Sequence, residues 1–169
     1  MSKKINKKVN NDGVDGSDTG NLNIVESTNE SPTKPKHDHF SNIVLSGKGK
    51  KLSPKTGNHV FFNLAKHDED GELYLRLSGN EGGGLHSKEW VLLQSIITIL
   101  DEQAQKPFKS TVLKSVFRSL SANNSGFLAG ILRSNDIGLI TQSGKSVFLH
   151  VLATDYEEKK AKLLQLADG

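Results

Sequence analysis

The chain contains no cysteine. Disulfides, thiolate zinc sites, iron–sulfur clusters and cysteine nucleophiles are therefore excluded, which fits a reducing compartment. Aromatic residues make up 6% of its 169 positions, with a single tryptophan, and this argues against a large aromatic core. No run approaches the roughly 20 apolar residues needed to cross a bilayer. The basic opening MSKKINKKVNNDG has no apolar stretch behind it and does not read as an export signal. Together these absences predict a soluble, cytoplasmic protein without membrane contact, made of one ordinary domain and a tail.

Charge is present in both signs, and its distribution is uneven. The net value is +3. Residues 1–56 hold ten lysines against six acids, whereas residues 57–105 hold three bases against eight acids. Segment 106–145 reverses the sign again, with Lys106, Lys109, Lys114, Arg118, Arg133 and Lys145 against Asp136 alone. A block of this kind suits a face that neutralises phosphates, since counterion release supplies much of nucleic-acid affinity. The alternative is a set of ordinary solvated lysines.

The first domain boundary is expected near residue 56. Residues 1–56 are dominated by Asn, Ser, Asp, Gly, Lys, Thr and Pro, with scattered apolar residues such as Leu22, Ile24 and Val25. Such a segment buries too little surface to offset the roughly 1–2 kcal/mol per residue of backbone ordering, so a mostly disordered basic tail is predicted. Within it, Phe40–Leu45 is apolar enough to dock or pair as a strand. Lys48, Lys50 and Lys51 form a basic cluster, either an arm for phosphates or a solubilising linker.

The ordered domain is expected over 57–169, opening with a β-hairpin at 58–78. His59–Leu64 and Glu72–Leu77 are strand-like, and the strict alternation of the second places Leu73, Leu75 and Leu77 on one buried face. Four glycines between Ser78 and Gly84 then interrupt regular structure. Ser87 is a candidate N-cap for a helix over Lys88–Gln103, with Trp90, Leu93, Ile97 and Leu100 as its apolar stripe. A second helix is predicted from Ser110 to Leu120, exposing Lys109, Lys114 and Arg118. A third follows Ser121 and packs Phe127, Leu128, Ile131 and Leu132, leaving Asn123, Asn124, Ser125 and Arg133 as candidates for exposure. Gly126 and Gly130 weaken that helix, as tolerated residues or as points of close helix–helix approach. Ile137–Thr141 and Ser146–Val151 flank a hairpin turn with Lys145 near its tip. A charged helix over 156–167 carries Leu163, Leu164 and Leu166, and packs on the domain or pairs two copies into a homodimer.

In element order, and in the run of polar turn, apolar helix, Gly138-Leu139-Ile140 and hairpin, residues 87–152 resemble the winged helix-turn-helix superfamily of DNA-binding domains. The resemblance implies an α+β fold: a winged helix, with a three-helix core and a β-hairpin wing, behind an N-terminal hairpin and a disordered tail. It also implies that the helix Asn123–Ser134 lies in the major groove, with Asn123, Asn124 and Ser125 at base edges or phosphates and Arg133 and Lys145 supplying charge. Asparagine can pair with adenine through two hydrogen bonds. The same helix has one basic residue, at its far end, which favours backbone contact over base reading.

Motifs for catalysis are weak. Gly144-Lys145-Ser146 ends like a phosphate-binding loop, but Leu139 stands where the first glycine is required and a strand follows where a helix must begin. His37-Asp38-His39 has no partner ligands at characteristic spacing, so adventitious metal affinity is expected and no metal or cofactor is assigned. His86 and Glu89 read as capping or exposed residues, and Asp68-Glu69-Asp70 as a solvated turn. The expected function is therefore non-enzymatic binding of double-stranded DNA, as a transcription regulator or a DNA-maintenance accessory factor of a mobile element. Two alternatives are a protein-interaction adaptor, suggested by the acidic segment 57–105, and a single-strand platform using Phe61, Phe62 and Tyr74.

Overall fold

The computed structural model describes residues 35–169. The expectations for Leu22, Ile24, Val25 and most of the predicted tail lie outside the described residues. The remainder departs from the disorder predicted for it, while the strand pairing allowed for Phe40–Leu45 is present from Asn42 onward. Asn42–Lys50 forms strand β1, paired antiparallel with β2 (His59–Lys66), which pairs in turn with β3 (Leu73–Asn80). Polar residues can form this strand because an edge strand is held by backbone bonds to its neighbour and needs little apolar surface of its own. The boundary expected near residue 56 falls inside this sheet.

The β2–β3 pair is the hairpin that alternation predicts. Leu73, Leu75 and Leu77 are buried beside Val60, Phe62 and Leu64. Tyr74 and Arg76 take the other face, where the Arg76 guanidinium lies 4.4 Å from the Trp90 ring centre. A fourth strand, β4 (Val91–Leu92), joins the edge of β3 with Leu75 opposite Val91. That pairing takes residues expected in the first helix, so α1 starts later, at Leu93, and runs to Gln103. Its buried residues are Leu93, Ile96, Ile97 and Leu100, and it has no side-chain cap. Ser87 instead donates to Glu89 Oε1 (2.7 Å).

The predicted second helix is shorter and tighter. After β5 (Phe108–Lys109) the chain makes a 3-10 turn over Ser110–Val116. The next free amides, those of Arg118 and Ser119, donate to the Glu89 carboxylate (both 3.1 Å), which draws the chain out of helical geometry. Leu120, the expected end of that helix, is 99% exposed. Helix α2 follows over Asn124–Leu132. Strands β6 (Ile140–Gln142) and β7 (Leu149–Leu152) form a second sheet in the order β5-β7-β6, with Phe108 opposite His150. Helix α3 (Tyr156–Leu164) packs on its own chain through Tyr156 and Leu163, both buried, and the Tyr156 hydroxyl donates to Asp101 (2.7 Å). Leu164 is exposed.

The architecture is thus α+β, with antiparallel sheets and helices sharing one core within His37–Gly169. Among the described residues no helix is long and apolar enough to cross a membrane.

Candidate nucleic-acid interface

The end of β1 and the wall of α2 meet without side chains between them. A Cβ on Gly49 would lie 2.2 Å from the Gly130 carbonyl oxygen, and a Cβ on Gly130 would lie 2.5 Å from the Lys50 carbonyl oxygen. The close approach expected at Gly130 therefore exists, but between helix and strand. Alternation along β1 buries Gly49 against the helix and leaves Lys48 and Lys50 exposed on either side of it.

Two neighbouring grooves run past this contact. The first, about 430 Å³, is lined by Lys48, Lys50, Lys51, His59, Arg133 and Gln142 among others. The second, about 630 Å³, takes Lys51, Lys55, Lys114, Phe127 and Phe148. The loop Lys51–Pro54 borders both, and among the described residues no aspartate or glutamate lines either. Lysines without acids among them in a concave surface concentrate positive potential, because the protein wall on each side screens less than water does. Glu81 lies close by: the His59 amide and then its imidazole hydrogen-bond to the Glu81 carboxylate and hold it below the usual carboxylate range.

The residues singled out from sequence divide sharply here. Lys48 and Lys50 line the first groove and Lys114 the second, all three exposed. Lys109 and Lys145 are exposed but line neither. Arg118 belongs to a different hollow with Phe40 and Trp90. Lys51 is not free. Its ammonium donates to Asn80 Oδ1 (2.7 Å), Gly83 O (2.8 Å) and Glu81 O, and sits 4.7 Å from the Phe127 ring centre. All three donors are consumed in holding the glycine-rich turn, where Gly82, Gly83 and Gly84 have φ of 67°, 77° and 106°.

The polar start of α2 is also committed to the fold. Asn124 and Ser125 are buried, at 2% and 4% exposure, contrary to the exposure expected of them. Asn124 Oδ1 accepts from the Ser87 amide (2.9 Å), and Asn123 Nδ2 donates to Leu85 O (3.0 Å). Arg133 donates through Nη2 to Leu149 O (2.8 Å), and burial lowers its pKa. Seven of the nine α2 residues are buried, with β1 and β2 packed against the helix. In this arrangement most of α2 is covered, and what it leaves open is its first turn, where Ser125, Gly126 and Phe127 line the second groove. The base-reading position implied for Asn124 is taken up by structural bonds, and Ser125 is buried.

Sequence reasoning missed Lys55, His59, Gln142 and Phe148 as groove residues. No local signal marks them, because the groove is assembled from four separate segments. Of the aromatics considered for single strands, Phe62 is buried, Phe61 is exposed, and Tyr74 is held by Asp70 (2.9 Å). No protein-family model, curated protein or solved structure matches the chain.

Proposed function

We propose that this is a non-enzymatic DNA-binding protein, acting as a transcription regulator or DNA-maintenance accessory factor, that grips the phosphate backbone through the paired grooves beside β1. The observation that carries this reading is the convergence of Lys48, Lys50, Lys55 and Lys114 on acid-free concave surface. Phe148, 54% exposed at the second groove, adds an apolar surface for a sugar or base. The order α1, β5, 3-10 turn, α2, β6, β7 supports reading the second half as a winged helix. Because β1 and β2 cover α2, duplex DNA meets the strand end, the 3-10 turn and the β6–β7 hairpin, and affinity comes from charge with little base discrimination.

Fluorescence anisotropy of the full chain with mixed-sequence duplex, titrated with salt, tests this. Binding should weaken steeply between about 50 and 200 mM salt. Changing Lys48, Lys50, Lys55 and Lys114 together to glutamine should reduce the log–log salt slope by about 0.9 for each phosphate that is no longer neutralised. All four side chains are exposed, so folding should be retained. No binding at low salt, or an unchanged slope in the variant, would sink the reading. A single strand that outcompetes duplex would redirect it to single-stranded nucleic acid.

One observation favours an adaptor as the second reading. Leu120 and Leu85 are 99% and 86% exposed on touching loops, where Ser121 Oγ donates to Leu85 O (2.8 Å). Two bare leucines on adjoining loops offer a small apolar feature for a protein partner. Leu85→Ser with Leu120→Ser should leave stability within about 0.5 kcal/mol and abolish co-purification of a nuclease-resistant partner. Retention of that partner by the double variant would dismiss this reading.

A further inference from the structure

The chain has six histidines, at 37, 39, 59, 67, 86 and 150, and half of them meet in one corner. The segment entering β1 lies on the turn between β2 and β3, tied by the Asp68 amide donating to His39 O (3.1 Å). Phe40 anchors the segment by stacking on Trp90, with ring centres 4.6 Å apart and planes at 16°. Asp38 closes the bend by accepting from the Phe40 amide (3.0 Å). The backbone of both partners is therefore held before any ligand arrives.

Side chains converge on this frame. One oxygen of the Asp68 carboxylate meets His39 Nδ1 at 2.8 Å, and the other meets His37 Nε2. Glu69 Oε1 lies 3.5 Å from the same His39 nitrogen. His67 stacks on His39 with ring centres 5.2 Å apart, while the His37 ring stands edge-on to it at 4.8 Å. Two sets, His37–His39–Asp68 and His39–His67–Glu69, each bring three potential ligand atoms within 4.8 Å of one another, and His39 belongs to both. Sequence spacing alone leaves His37-Asp38-His39 without partner ligands; the β2–β3 turn supplies them.

We infer that this corner binds one divalent transition-metal ion of the zinc, nickel or copper type, with His39 as the central ligand, His37 and Asp68 completing the primary set, and His67 and Glu69 in reserve. Imidazole with carboxylate is the donor set these ions favour, whereas magnesium and calcium prefer oxygen alone. In a tetrahedral zinc site with bonds of roughly 2.0–2.2 Å, ligand atoms stand about 3.3 Å apart. Closing from 4.8 Å or less needs a shift of about 1.5 Å at most, within reach of side-chain rotation at a half-exposed surface. The remaining positions go to water. The ion acts as a clasp: it pins the residues that lead into β1 to the β2–β3 turn and so closes a loop of chain in the native state.

The test is calorimetric titration of zinc chloride into metal-free full-length protein at about pH 7.5. One equivalent should bind with a dissociation constant on the order of 1 µM or tighter. His39→Asn should weaken binding by about 100-fold and His37→Asn or Asp68→Asn by about 10-fold. His59→Asn is the control, because His59 and Glu81 form a separate imidazole–carboxylate pair at 3.0 Å; it should leave binding intact. A second readout on the unaltered chain is the imidazole nitrogen spectrum, in which zinc should shift His39 and His37 and leave His59 in place. Absence of saturable binding, equal loss with His59→Asn, or shifts spread over all six histidines would overturn the assignment.

Discussion

Gly49→Ala should destabilise the protein by about 3 kcal/mol and Gly130→Ala by about 2 kcal/mol, near the upper range for overpacking. The added methyl at either position meets backbone, at 2.2 Å from Gly130 O in one case and 2.5 Å from Lys50 O in the other. Backbone cannot rotate aside as a side chain can, so β1 must lift from α2 or the helix must tilt. Gly126 is in the same helix, and a Cβ there meets nothing within 4 Å. Gly126→Ala should therefore gain about 1 kcal/mol, the ordinary helix-propensity difference. Urea midpoints followed by circular dichroism report all three. Equal effects for Gly126→Ala and Gly130→Ala would show that strand and helix do not touch as described. Because β1 carries Lys48 and Lys50, displacing it should also weaken the proposed nucleic-acid binding.

The second large effect is acid sensitivity governed by His150. This residue is 0% exposed, and neither ring nitrogen has a hydrogen-bond partner among the described residues. Burial, with a smaller contribution from the nearby Arg133 charge, pushes its pKa down to about 4. The unfolded chain, with an imidazole pKa near 6.5, takes up a proton well before the folded one. Stability is thus fully present above about pH 6.5 and declines as pH falls toward 4, by about 3 kcal/mol in total. Depressed carboxylates such as Asp70 and Glu81 lose their contributions only at lower pH. His39 works in the opposite direction, because its bond to Asp68 raises its pKa, but the group is exposed and solvent screens it. His150→Leu should flatten the decline between about pH 4.5 and 6.5, and removing two unpartnered buried nitrogens should raise stability near neutrality by about 1–2 kcal/mol. Denaturant midpoints measured across that range decide the matter: parallel profiles for the two proteins would clear His150 of responsibility.

Features with a short period were legible from sequence. Leu73, Leu75 and Leu77 line one face because alternation is a property of neighbouring residues, and the buried residues of α1 include three of the four expected from helical spacing. Boundaries moved where tertiary partners competed for the chain. Val91 and Leu92 went to the edge of β3, and Glu89 captured the amides that would have extended the 3-10 turn. β1 was legible in its apolar start, Ile43–Leu45, but not in its second half, Ser46–Lys50, whose stabilising bonds belong to the backbone of another strand while its own composition of Ser, Gly and Lys reads as a linker.

The candidate interface shows the same division. Counting charge singled out Lys48, Lys50 and Lys114, which the structure places along the grooves. It did not distinguish them from Lys51, whose donors are spent on Asn80, Glu81 and Gly83. Nor could it show that Asn124 and Ser125 are buried.

By itself the sequence determined the absence of thiol chemistry, the β2–β3 hairpin, the apolar stripe of α1 and a surplus of lysine, since each follows from composition or from residues a few positions apart. Tertiary structure alone decided which lysines face open grooves, why Gly49 and Gly130 must lack side chains, why His150 is sealed and how His37 and His39 reach Asp68. These outcomes depend on segments distant in the chain arriving at the same place, and local pattern carries no record of that meeting.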